Sequence, residues 1–94
     1  MSVRVKAVRH VRDYVLDLQF SDGSHGEIDF RNRIVGRGGV FAVLEKIDMF
    51  RQVRVDPEAG TITWPNGVDF CPDMLHHEAT GAALPRLPTS HRAA

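Results

Sequence analysis

Apolar side chains recur at every second position near the start of the chain. Val3, Val5 and Ala7 alternate with Arg4 and Lys6, and Tyr14, Leu16, Leu18 and Phe20 alternate with Val15, Asp17 and Gln19. A period of two is that of a strand with one buried face. His10 to Asp13 is the expected turn between these strands. Ser21-Asp22-Gly23-Ser24 is a second turn, because Gly tolerates positive φ while Asp and Ser bond to nearby backbone. Gly26, Ile28 and Phe30, alternating with Glu27 and Asp29, complete a three-strand antiparallel meander with one apolar face.

The period then changes. Gly36-Arg37-Gly38-Gly39 breaks the chain. Phe41, Leu44 and Ile47 are spaced by three, which predicts a short helix over residues 40–46 lying on the open face of the meander. Asp48 is placed to cap a further turn containing Met49 and Phe50. Alternation returns at Val53 and Val55, and again at Ile62 and Trp64, with Asp56-Pro57-Glu58-Ala59-Gly60 as the turn between. Pro65-Asn66-Gly67 is another turn, and Asn66-Gly67 by itself suits a primed hairpin turn. Pro72 suits a first helical position and Asp73 complements the helix dipole, so a short helix is expected over residues 72–78. From Ala79 onward the periodicity stops.

The expected fold is therefore α+β: a small antiparallel sheet, built as a meander plus a hairpin, with a short central helix and a short C-terminal helix. Residues 1–80 form a single domain and residues 81–94 a flexible tail. The chain has 94 residues, of which 43% are hydrophobic and 26% charged, the composition of a globular domain and not of a disordered one. A core this small leaves apolar surface uncovered, and homodimerisation is one way to bury it. No apolar run approaches the ~20 residues of a membrane helix, so no membrane association is expected. The first residues, Met1 to Arg12, lack the apolar block of a signal peptide. A single cysteine excludes an intrachain disulfide and fits a reducing, cytoplasmic setting.

Twelve Lys and Arg balance twelve Asp and Glu. A zero net charge argues against nucleic acid as a partner, since that grip depends on excess positive charge. Locally the signs separate. Residues 21–30 carry Asp22, Glu27 and Asp29, Arg31, Arg33 and Arg37 follow, and residues 61–80 carry Asp69, Asp73 and Glu78 with no Lys or Arg. Such patches steer partners even at zero net charge. Arg31, Arg33 and Arg37 beside the glycine-rich run are the candidates for an anionic partner, although the run matches neither the Walker pattern nor the dinucleotide fingerprint. Trp64, Asn66 and Asp69 form the most distinctive local sequence and are the other partner-binding candidates. Trp64 there either anchors an interface or closes one end of the core, and its alternation with Ile62 favours the core.

Catalytic chemistry is poorly represented. Asp73 and His77 are four apart on the expected helix and share a face, which makes them weak metal-ligand candidates. One cysteine and two adjacent histidines, His76 and His77, do not make a structural zinc set. Ser21, Ser24 and His25 are close in sequence but lack an orienting third group. Asp22, Glu27 and Asp29 could pair as acid and base but read as a solvated strand face. No catalytic residue and no cofactor are expected, and the chain is not expected to be an enzyme.

Three segments carry a family resemblance: Leu16-Asp17-Leu18-Gln19-Phe20-Ser21-Asp22-Gly23, Phe50-Arg51-Gln52-Val53-Arg54-Val55-Asp56, and Ile62-Thr63-Trp64-Pro65-Asn66-Gly67-Val68-Asp69-Phe70-Cys71-Pro72-Asp73-Met74-Leu75. In this order they are similar to the small bacterial proteins of domain-of-unknown-function family 2442, over residues 3–78. The resemblance implies a small α+β domain with no assigned activity. It also implies a gene often paired with that of another short protein, in arrangements suggested to be toxin–antitoxin-like. Some relatives carry a C-terminal helix-turn-helix segment. Here 14 residues with two prolines follow residue 80, too few for that module. The expected function is thus a non-enzymatic module that binds another small protein, in antitoxin-like fashion. The alternatives are a nucleic-acid-associated regulator using the basic patches of residues 4–12 and 31–37, and, last, a metal-dependent enzyme at residues 71–78.

Overall fold

The computed structural model describes residues 3–81. Three strands, β1 (Val5–Arg12), β2 (Val15–Phe20) and β3 (His25–Asp29), form one antiparallel sheet in that order. Alternation places Leu16, Leu18, Phe20 and Ile28 on one face, where all are buried. The other face is polar, and carries the ion pairs Arg9–Asp17 at 3.2 Å and Arg12–Glu27 at 4.0 Å. Val15 departs from the alternation and is buried, flanked in register by Arg12 and Asp29. The first turn is tighter than expected. Strand β1 runs on to Arg12, and Asp13 turns the chain at φ 39°.

After β3 the chain makes one helical turn, α1 (Arg31–Ile34), where a plain connection was expected. Phe30 and Ile34 are four apart and both fully buried, so the turn places two apolar side chains on one side. The Asp29 carboxylate accepts the Arg31 N–H at 2.9 Å. The expected helix over 40–46 is instead two 3₁₀ turns, Gly39–Phe41 and Val43–Glu45, followed by α2 (Ile47–Phe50). A spacing of three is the 3₁₀ period, which accounts for the difference.

Strands β4 (Arg54–Asp56) and β5 (Thr61–Thr63) form a second, two-stranded antiparallel sheet. Its turn abuts the free side of β1: the Val5 N–H donates to Gly60 O at 2.9 Å, and the Arg4 guanidinium donates to Pro57 O and Glu58 O. Thr61 and Thr63 are buried although alternation makes them the polar side. Their hydroxyls donate to Phe70 O at 2.6 Å and Val68 O at 2.8 Å, so the returning segment satisfies them. The last element is α3 (Pro72–Thr80), with proline in its first turn. It ends in Gly81 at φ 77°, whose N–H donates to His77 O at 2.8 Å. It outlasts the expected helix by two residues. Apart from Gly81, the expected tail lies outside the described residues.

One core joins these pieces. Phe30, Phe50 and Trp64 are essentially inaccessible, with ring centroids 5.6–6.2 Å apart. The Trp64 indole N–H donates to Phe50 O at 2.7 Å and ties β5 to α2. Helix α3 lies directly on β3: a Cβ built on Gly26 would stand 2.1 Å from the carbonyl oxygen of Ala79.

Candidate functional site

The arginines expected to meet a partner sit on and just after α1, and each has a different environment. The Arg31 guanidinium carbon lies 4.9 Å from the Tyr14 ring centroid, a cation–π contact. Arg33 is ion-paired with Glu78 of α3. Arg37 is exposed and donates its Nε–H to Asn32 O at 3.0 Å. Among the described residues no carboxylate pairs with Arg31 or Arg37.

Arg33 and Arg37 share an open depression of about 300 Å³ with Phe41 and Phe70, whose ring centroids are 6.2 Å apart. The loop that shapes it depends on glycine: Gly36, Gly38 and Gly39 all have positive φ, between 55° and 80°. The Gly36 N–H donates to the Glu45 carboxylate at 3.0 Å, and the Tyr14 hydroxyl donates to Glu45 O, so Glu45 anchors the loop to the sheet. Val35, Val40 and Val43, from 40% to 57% exposed, belong to the same segment. The three lie within nine residues of one another in the chain.

The other candidates are placed as follows. Trp64 is 1% exposed and belongs to the core, so its ring offers no contact surface. Asn66 is exposed but occupied. Its side-chain amide donates to Val40 O at 2.9 Å and its oxygen accepts the Val68 N–H at 3.3 Å, which fastens the 64–68 turn to the arginine-bearing loop. Asp69 is exposed, and its backbone bridges Thr63. Asp73 and His77 both lie on α3. Among the described residues no three His, Cys, Asp or Glu side chains are grouped to hold a metal ion.

Sequence reasoning missed a cluster centred on His76. Its Nε2 lies 3.0 Å from Asp22 Oδ2 and 3.1 Å from Ser24 Oγ, and its ring meets Phe20 edge-on at 4.9 Å. The Ser24 hydroxyl and then its amide, followed by His76, hold the Asp22 carboxyl below the ordinary aspartate value. Although the residue types are those of a serine hydrolase, the geometry is not. There the histidine binds the carboxylate through one nitrogen and the serine through the other, whereas here a single nitrogen faces both. The cluster binds α3 to the β2–β3 turn. Glu78, the partner of Arg33, was missed for the same reason: both contacts join α3 to residues more than forty positions earlier, and no local pattern marks them.

The fold and this surface define a small α+β domain of two antiparallel sheets around one aromatic core. The chain belongs to the family described as protein of unknown function (DUF2442), whose model matches residues 5–81. No curated protein and no solved structure matches it.

Proposed function

We propose that the chain is a non-enzymatic protein-interaction module that binds another small protein through the surface of residues 33–43 and Phe70. The observation carrying this reading is the depression lined by Arg33, Arg37, Phe41 and Phe70, on a segment that also exposes Val35, Val40 and Val43. Aromatic rings together with arginines are the residue types enriched at interface centres. An antitoxin-like role, masking a partner encoded alongside, is the specific form of this reading.

A nuclease-treated pull-down from native lysate tests it, with mass spectrometry and light scattering on the eluate. One small protein at fixed stoichiometry, lost when Val40 is changed to Asp, is the expected result. Recovery of the chain alone, as monomer or homodimer, overturns the reading.

A further inference from the structure

We infer that the partner presents an acidic segment with one aromatic or branched apolar anchor, and that Glu78 holds the place of one of its carboxylates until it binds. The inference rests on the binding-module reading and specifies its chemistry. Both charged side chains lining the depression are arginines. Its apolar lining comes from Phe41 and Phe70. Arg37 donates one N–H to Asn32 O and has no carboxylate partner among the described residues. Its fork is therefore available to a carboxylate brought from outside. Arg33 already has one, supplied by Glu78 from α3. The Glu78 side chain is 27% exposed and that of Arg33 36%, so solvent reaches the pair and exchange costs little desolvation. An acidic partner completes the site by pairing with Arg37, and it competes with Glu78 for Arg33. Basic and neutral partners gain neither contact, and a basic one is repelled.

The test uses the full chain and a random short-peptide library displayed on phage, with binding of the selected peptides measured by fluorescence anisotropy. Selected peptides are expected to carry Asp or Glu flanking an aromatic or branched apolar residue. Their binding is expected to weaken as salt is raised. Arg37→Glu should weaken binding about tenfold, and Arg37→Lys less, because lysine keeps the charge without the fork. Glu78→Gln should tighten it about threefold by releasing Arg33. Circular dichroism checks that each variant is folded, and Arg37→Glu leaves the Arg33–Glu78 pair intact should Glu78→Gln perturb α3. Failure to enrich acidic peptides, or binding indifferent to Arg37→Glu, overturns the inference. A lysate partner that binds Arg37→Glu as tightly as the parent chain removes this inference and leaves the module reading standing. Acidic peptides that behave as expected, alongside a lysate that yields no partner, uphold the acid-selective site and remove only the small-protein partner encoded alongside.

Discussion

Two loops solve the same problem with the same geometry. In the β2–β3 turn the Gly23 N–H donates to Phe20 O at 3.0 Å, the Phe20 N–H donates to Ser24 O at 2.9 Å, and Gly23 has φ 89°. In the later turn the Gly67 N–H donates to Trp64 O at 2.8 Å, the Trp64 N–H donates to Val68 O at 3.1 Å, and Gly67 has φ 90°. Each is a three-residue hairpin loop closed by a left-handed glycine. The primed turn expected at Asn66-Gly67 does not form, because Pro65 takes the first central position and fixes a negative φ there. Asp22 and Asn66 occupy equivalent places, and each accepts the N–H two residues on. They differ in charge, and that difference has a pH signature. The folded-state value of Asp22 is lowered, so the stability it contributes is present above the ordinary aspartate value of 3.8 and lost as pH falls through the folded value. Asp22→Asn should flatten the acid limb of stability below about pH 4, which urea-denaturation midpoints across that range measure directly. Parallel acid limbs in the two proteins would contradict the assignment.

Among the elements, α3 depends most on a single atom that is absent. Gly26 has no Cβ, and only so can the Ala79 carbonyl approach β3 as closely as it does. Gly26→Ala therefore cannot be absorbed by a side-chain shift, and α3 must move. A loss of about 1–3 kcal/mol is expected, within the range for overpacking. Hydrogen exchange locates it: amides of α3 should exchange faster while those of β2 change little. The same element shows what the chain discloses on inspection and what it does not. Pro72, Asp73 and the return of apolar residues announce a helix there, and the period-two runs announce the meander and hairpin. Arg31, Arg33 and Arg37 are visible as a charged run beside glycines. What alternation cannot show is which side chain meets which across long separations. Arg33 with Glu78, Ser24 with His76 and Gly26 with Ala79 are each products of tertiary packing. The α1 turn was hidden differently, since Phe30 fits both the strand period before it and the helical spacing to Ile34 after it.

Across the whole molecule, the two sheets share one core instead of keeping one each. Phe30 belongs to the end of the meander, Phe50 to α2 and Trp64 to the end of the hairpin, and their rings are mutually in contact. Neither sheet can lose its packing alone, so unfolding should be a single cooperative transition. Trp64 is the one tryptophan and lies at the junction. Its fluorescence and the far-ultraviolet dichroism of the backbone should therefore follow one curve in urea, and separated midpoints would show two independent units. The docking of α3 also orders events during synthesis. Strands β1, β2 and β3 are neighbours in the chain and pair through short turns, whereas α3 returns to them across more than forty residues. Local pairings close at small entropic cost and the distant one at a larger cost. A chain leaving the ribosome from its N-terminus completes the meander before α3 has been made. Until α3 has emerged and docked, the sheet face around Gly26 lacks that cover, and the nascent protein shows its surroundings an apolar surface that the finished one conceals.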